Sequence, residues 1–375
     1  MAYRRACNSH FSFLSGSITM TRNRTAPQDE PSQPVEQGRK SLRLTDSCRH
    51  LLLFFACLLT LYLPLSLPAA PLEPTAQHEW LAEWVKRGEF DAHWLNELLA
   101  PLTPDSKVLR LMDSQAEAKP YYLYRRNFIN ERRIQRGRVM MRSNRAVLQR
   151  IQKQFHVPPE VVVALWGVES HYGQHSGSLS VLRTLYTLAA NYPRRAPFFQ
   201  EELRQFLLLC LEENWDPNEL EGSYAGAIGQ MQMMPSTMRK YAVDFSGDGK
   251  RDVFNSSADV LASIASFLAG HQWNPEAPMA IALNEKINPD LSTLKSPSLN
   301  TMRPWQEWQQ EGINLGSKEK FPEANEPAAL IALEEEQGSR YYMVFGNFKV
   351  ITQWNRSSRF AMVVRELADQ LRKAP

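Results

Sequence analysis

Residues 161–173 read VVVALWGVESHYG, a nearly unbroken apolar run that ends in a carboxylate, a serine, a histidine, a tyrosine and a glycine. Pro158 and Pro159 stand before it. Proline is favoured at the first helical position, where its missing N–H would have no partner anyway. Read as a helix, Val162, Leu165, Trp166 and Glu169 fall at i, i+3, i+4 and i+7 and so share one face. Glu169 is therefore expected on the apolar face. A carboxyl there loses hydration, which disfavours its charged form and raises its pKa. A protein obtains a proton donor that survives to neutral pH in this way. On spacing alone a second reading stands beside this one: a helix-terminal Glu that reaches solvent or pairs with an arginine.

The chain has 375 residues, enough for a sizeable core and about two domains. Its net charge of +3 is unevenly placed. Residues 1–70 hold 8 basic and 4 acidic residues, which leaves 35 against 36, a net of −1, for the remainder. A nucleic-acid binder is expected to keep its positive excess on the folded part, so nucleic acid is not expected as a partner. Of the four cysteines, Cys7, Cys48 and Cys57 lie in or before an apolar segment, and only Cys210 belongs to the globular part. That excludes an internal disulfide and a cysteine-based zinc site there. Cys210, in the run FLLLCL, reads as a small buried hydrophobe.

Residues 1–50 read as a disordered basic leader, rich in Pro, Gln, Ser and Arg and without periodicity. Arg39, Lys40, Arg43 and Arg49 then lead into LLLFFACLLTLYLPLSL at 51–67. Such a positive flank before an apolar run marks 51–70 as a signal peptide or an amino-terminal membrane anchor, with everything after residue 70 exported. From 71 to 150 the pattern is helical and amphipathic, as in EWLAEWVKRG and HWLNELLAPL. Further helices are expected near 178–190, 198–213, 236–242 and 258–271. After Trp273, prolines and Asn/Ser punctuate 276–355, which reads as a linker and a small β-containing subdomain with the β-prone runs AALIALE, RYYMVFG and FKVITQW. An amphipathic helix closes the chain over 356–375.

Two more stretches could carry chemistry. Residues 223–236, SYAGAIGQMQMMPS, are poor in charge and rich in glycine. Gly222, Gly226 and Gly229 permit close backbone approach, and Gln230 and Gln232 carry amides that donate and accept. A tight helix–helix crossing explains the same glycines equally well. The spacing does not fit a dinucleotide fingerprint. Residues 244–252, DFSGDGKRD, place oxygen side chains at positions 1, 3 and 5, a glycine at 6 and an aspartate at 9, the first part of an EF-hand calcium loop. Position 12 is Asn255 where the bidentate Glu would stand. Asp259 follows, either as a capping-box partner of Ser256 or as the carboxylate that closes a longer loop.

Together these stretches resemble the lytic murein transglycosylase B family, whose members cleave bacterial peptidoglycan. The resemblance covers roughly 75–375 and rests on LWGVESHYG, NYPRRAPFF (191–199), GSYAGAIGQMQMMPS, DFSGDGKRDVFNSSAD and the late WNRSSRFAMVV. It implies a mainly α (α+β) fold: a lysozyme-like helical catalytic core over 151–275, a flanking helical domain and a small β-containing subdomain. It implies Glu169 as the single catalytic acid/base and Tyr124, Ser223 and Gln232 as glycan-binding residues. Asp244, Ser246, Asp248, Lys250 (through its carbonyl) and Asp259 would ligate a structural Ca2+ that the chemistry itself does not require. Phe198, Phe267 and Phe345 stand where relatives often have tyrosine, and Gln230, Met231 and Met233 depart from the usual residues around Gln232.

The implied reaction breaks the bond between N-acetylmuramic acid and N-acetylglucosamine and closes a 1,6-anhydro ring without water. Most glycosidases use two carboxylates, and substrate-assisted families are the exceptions. Here the substrate's acetamido group would stand in for the second. A lysozyme-type hydrolase and a catalytically silent cell-wall binding protein are the alternatives. The resemblance further implies a monomer acting on peptidoglycan strands in the periplasm of a Gram-negative bacterium, free or held at the membrane by its amino-terminal segment.

Overall fold

The computed structural model describes residues 78–114, 119–284, 288, 291–296, 298–316 and 322–373. The leader (1–50) and the apolar segment (51–70) lie outside these residues. Four short helices come first: α1 (Glu79–Lys86), α2 (Ala92–Leu99), α3 (Ser106–Asp113) and α4 (Tyr121–Arg126). Asp91 and Asp105 start α2 and α3 by accepting from the backbone N–H of Trp94 and Lys107, both at 2.8 Å, which satisfies donors that the first turn leaves unpaired. Asn130 does the same for α5 (Glu131–Ser143) through the N–H of Arg133. Then come α6 (Arg145–Phe155) and α7 (Pro159–Ser170), which stop on His156 and His171, both with left-handed backbone.

Strand β1 (Leu179–Ser180) leads into α8 (Val181–Asn191) and the long α9 (Ala196–Glu213). Strand β2 (Glu221–Gly222) pairs with β1, and α10 (Pro235–Tyr241) and α11 (Ser257–Gly270) complete the central helices. The remainder contains β3 (Ala280–Ala282), α12 (Leu291–Leu294), β4 (Arg303–Pro304), α13 (Trp305–Gln310), β5 (Pro327–Glu334), β6 (Ser339–Phe345), α14 (Gly346–Trp354) and α15 (Ser358–Arg372). The four strands form one antiparallel sheet in the order β3-β6-β5-β4. Successive side chains of a strand point to opposite faces, and here both faces are covered. Ala329, Ile331, Leu333, Tyr342 and Val344 join the main core, whereas Ala328, Leu330, Met343 and Phe345 join a second one built on Trp305 and Trp308.

The main core is organised on α7. Every residue from Val161 to Val168 is buried, so the helix is wrapped all round, as expected for one with no polar face. Helix α15 lies along it, with α5, α11 and α6 on its other sides. The apolar face expected to hold Val162, Leu165, Trp166 and Glu169 is thus one part of a helix covered on all sides, and Glu169 alone in 161–170 is less than fully buried. A correction concerns 348–354, which is not β but most of α14. Phe348 and Ile351 fall one helical turn apart and are both buried. The N–H of Gly346 donates to Glu326 Oε1 at 3.1 Å and anchors the start. Short apolar runs of β-branched residues fit either period, and packing chose the helix. Among the described residues no helix is long and apolar enough to cross a membrane.

Close approach of α5 to α7 depends on Tyr172. Its ring lies between Gly137 of α5 and Gly167 of α7, and its hydroxyl donates to the carbonyl of Arg133 at 3.0 Å. A Cβ on Gly137 would meet the tyrosine hydroxyl at 2.4 Å, and one on Gly167 would meet the ring at 2.6 Å. Cys210 is buried in α9, and burial pushes its thiol up to about 12. Alanine is the better helix former by propensity. Gly167→Ala is nevertheless expected to destabilise the protein by about 1–3 kcal/mol through overpacking, read as a lowered denaturation midpoint; an unchanged or raised midpoint would refute the contact.

Candidate active site

Helix α7 delivers Glu169 one residue before its end, and the backbone then turns left-handed at His171 and Tyr172. The side chain keeps a partial opening to solvent while protein atoms crowd the carboxyl from the other directions. Burial raises its pKa to about 8, and hydrogen bonding from the Trp354 side chain opposes the shift without cancelling it. Among the described residues no other carboxylate acts on it. The remaining buried acids among the described residues are all engaged by backbone N–H groups. Glu202 accepts from Ser236 at the start of α10, Asp259 from Phe245, Ser246 and Asp252, and Glu326 from Gly346. Glu169 has no such anchor and can take up or release a proton without breaking a capped turn.

Tyr124 projects from α4 within electrostatic reach of Glu169. Burial and then the Glu169 charge push its hydroxyl up to about 12, while Arg359 pulls the other way. The helix carrying it is clamped on the far side. Tyr121 donates its hydroxyl to Glu366 at 2.7 Å, Arg125 donates to the same carboxylate, and the N–H of Tyr121 donates to Glu334, which pairs with Arg359 at 3.0 Å. Trp354, the last residue of α14, is held in turn by Phe267 of α11, ring centroids 4.7 Å apart and edge to face. Neither Trp354 nor Arg359 was singled out from the sequence. Trp354 ends a run that reads as a strand, and Arg359 lies in a late motif to which no role was assigned.

Ser223 and Gln232 sit on the glycine loop beside the segment that leaves α7. The Ser223 oxygen accepts from the N–H of Ala225 and Ala227, which leaves its hydrogen available for donation. Gln232, at a positive φ of 51°, donates its amide N–H to the carbonyls of Ser176 and Gly229, both at 2.8 Å, and its amide oxygen is left as an acceptor. Gly177 makes this junction. Its φ is +95°, and a Cβ there would meet the Gly222 carbonyl oxygen at 2.0 Å. Gln230 is a strut: its Oε1 accepts from the Trp166 indole at 3.0 Å and its Nε2 donates to the Phe254 carbonyl at 2.5 Å. It joins α7 to the 244–259 loop.

The three tyrosine-substituted positions separate. Phe267 supports Trp354, Phe198 is exposed beneath the Arg195 guanidinium, and Phe345 is fully buried in the second core against Trp305. Of the other aromatics near the site, Tyr121, Trp166 and Tyr172 are core residues.

In the 244–259 loop, carboxylate oxygens of Asp244, Asp248 and Asp259 lie within 4.8 Å of one another. The loop turns at Gly247 and Gly249, both with positive φ. Backbone N–H groups, that of Gly247 foremost, hold the Asp244 carboxyl below its usual range. Ser246 donates to Asp244, and the N–H of Lys250 donates to Asp248. Asp259 is fully buried. The Ser256 hydroxyl accepts the N–H of Asp259 and starts α11, but the Asp259 carboxylate turns into the loop instead of back to Ser256. These are all-oxygen donors with three converging carboxylates, the set that suits a hard divalent cation.

Comparison with known proteins agrees with this architecture. Residues 75–369 match the family described as the transglycosylase SLT domain. The chain is 34% identical over 313 residues to membrane-bound lytic murein transglycosylase B of Escherichia coli (strain K12), covering 78% of this chain and 81% of that one. The Escherichia coli lytic transglycosylase SLT35 in complex with calcium superposes with a TM-score of 0.71 at 32% identity, covering 80% of this chain and 93% of that one. SltB3 from Pseudomonas aeruginosa in complex with NAG-NAM-pentapeptide gives 0.69 at 32% identity, with 78% of each chain covered. The family match spans most of the chain and the relatives are more than 30% identical to it, so the chain belongs to the transglycosylase SLT domain family.

Proposed function

We propose that Glu169 is the single acid/base of a lytic murein transglycosylase that cleaves peptidoglycan and leaves 1,6-anhydro-N-acetylmuramic acid ends. The observation that carries this reading is a carboxyl whose pKa stands near 8 with no second carboxylate acting on it. It is protonated at neutral pH and donates to the oxygen between N-acetylmuramic acid and N-acetylglucosamine as the C1–O bond breaks. The acetamido carbonyl oxygen of the same muramyl unit closes on C1 and takes the positive charge. The muramyl 6-hydroxyl then displaces it at C1, and the Glu169 carboxylate accepts the hydroxyl proton. The acid is thereby restored for the next cycle.

The partly buried setting of Glu169 between Tyr124 and Trp354 supports attack by the 6-hydroxyl over attack by water. Tyr124 comes from 71–150, Glu169 from 151–275 and Trp354 from 276–355, so we assign the cleft to the meeting of these three parts. Ser223 and Gln232, with a free donor and a free acceptor, suit the hydroxyl and acetamido groups of a sugar. We assign Asp244, Ser246, Asp248, the carbonyl of Lys250 and Asp259 to a structural Ca2+, in line with the calcium complex of the SLT35 relative. When bound, the ion would hold the loop that Gln230 ties to α7. The leader and the 51–70 segment we assign to export into the periplasm of a Gram-negative bacterium, as a cleaved signal or a retained anchor; the Escherichia coli relative is named membrane-bound.

Mass spectrometry of digested sacculi is expected to show anhydro-muramyl ends, and reducing ends alone would make the protein a hydrolase. Glu169→Gln should lower glycan cleavage by about 10²–10⁴-fold, and unchanged cleavage would remove the assignment. The same substitution tests the electrostatics. A carboxyl whose folded pKa is raised from 4.5 to about 8 binds more protons folded than unfolded between those values. The stability it supports is therefore lost as pH rises through that window. Glu169→Gln is expected to be more stable to unfolding than the parent at pH 9 by about 1–3 kcal/mol, with the gap closing at pH 4; a pH-independent difference would contradict the raised pKa. Chelation with EDTA should lower the melting temperature, calcium should restore it, and Asp259→Asn should abolish the response. A calcium-independent melt of the parent would retire the site.

A further inference from the structure

Helices α5 and α6 continue one another as a single rod. The N–H of Asn144, between them, donates to the Met140 carbonyl at 3.1 Å, and its carbonyl accepts from the N–H of Leu148 at 2.9 Å, so the helical ladder runs on through the junction. Burial keeps the same phase on both sides of it. Ile134, Gly137, Leu148 and Ile151 are buried on the side that meets α7. Arg132, Gln135, Val139, Arg142, Ala146, Gln149 and Lys153 are exposed, at alternating steps of three and four residues. Such spacing marks one face of a helix, and at 1.5 Å per residue this face is about 32 Å long. Arg136, Arg145 and Arg150 each stand one residue away from it.

Nothing in the protein neutralises this face. Residues 131–155 hold seven arginines and one lysine against a single acid, Glu131, and Glu131 accepts from Gln135. None of the eight cations forms an ion pair among the described residues. Elsewhere arginines meet acids: Arg125 meets Glu366, Arg204 meets Glu89, Arg239 meets Glu212 and Arg251 meets Glu213. Because residues 71–375 carry a net charge of only −1, the stripe is a local excess and not part of a uniformly basic surface. Midway along it, Val139 is 45% exposed between Arg132 and Arg142. Cations in line with apolar side chains between them suit the boundary of lipid headgroups and acyl chains. A polymer of carboxylates would meet the charges and offer nothing to Val139 or Ala146. We propose that this face of α5 and α6 docks the folded part on a bilayer surface rich in anionic phospholipid. The contact is additional to the 51–70 segment, holds whether or not that segment is retained, and does not rest on the chemistry assigned to Glu169.

Residues 70–375 form one compact unit that holds both hydrophobic cores, so this unit folds without 1–69 and keeps the apolar segment out of the measurement. Co-sedimentation is measured with phosphatidylcholine vesicles, with and without phosphatidylglycerol. Binding is expected only with phosphatidylglycerol present, and it should fall as salt rises. Arg132→Gln, Arg142→Gln, Arg145→Gln and Lys153→Gln together are expected to weaken it about 100-fold or more, from a factor of roughly five per cation. A control replaces four exposed cations elsewhere, Lys86→Gln, Lys107→Gln, Arg340→Gln and Lys373→Gln, and should keep most of the binding. Equal losses in the two variants would reduce the effect to net charge and overturn the proposal, as would equal binding to both kinds of vesicle. A loss on purified sacculi with vesicle binding unchanged also overturns it and makes the stripe a cell-wall contact. Circular dichroism of both variants checks the fold, and cleavage of soluble glycan fragments, scored separately, should match the parent.

Discussion

Wrapping a helix on every side obliges its neighbours to come close, and that obligation shapes most of this molecule. Helix α7 offers no polar stripe, so α5, α6, α11 and α15 must all cover it. Close packing at α5 is possible only because Gly137 and Gly167 leave room for the Tyr172 ring between them. Tyr172 in turn needs the left-handed backbone at 171 and 172, which also ends α7 at Ser170, one residue after Glu169. Packing, helix termination and the position of the carboxyl are thus one arrangement. The raised pKa follows from the same burial and needs no dedicated partner.

The strut at Gln230 extends this arrangement to the 244–259 loop. Its two hydrogen bonds join the Trp166 indole in the middle of α7 to the Phe254 carbonyl, while Asp259 collects three N–H groups from the same loop at the start of α11. Both ends of the loop are therefore fastened to α7 or to helices that cover it. An amide that could have been read as a sugar contact is used to carry load inside the protein. Gln232, two residues on, donates its amide to Ser176 and Gly229 and keeps its oxygen as an acceptor.

How much of this could be read from the amino-acid sequence differs by kind of feature. The start of α7 at two prolines, the burial of its apolar run and the exceptional place of Glu169 follow from local chemistry. So do the glycine-turned oxygen loop, the strand character of AALIALE and RYYMVFG, and the late helix α15. What failed were features decided by packing against distant segments. The run FKVITQW has the composition of a strand, but Gly346 is pinned by Glu326, twenty residues earlier, and the helix follows. Trp354 and Arg359 reach the site only because that helix and α15 meet there. Gln230 looked like a ligand-facing amide because its partners, Trp166 and Phe254, are far off in sequence.

Cys210 has a consequence of another sort. It is the single cysteine among the described residues, it is buried in α9, and its thiol ionises only far above physiological pH. A thiolate is the species that attacks a disulfide or an oxidant, and here almost none forms. Residues 78–373 therefore fold to the same covalent state in a reducing compartment and in an oxidising one. Passage from one to the other leaves this part no bridge to form, none to mispair and no need of an isomerase.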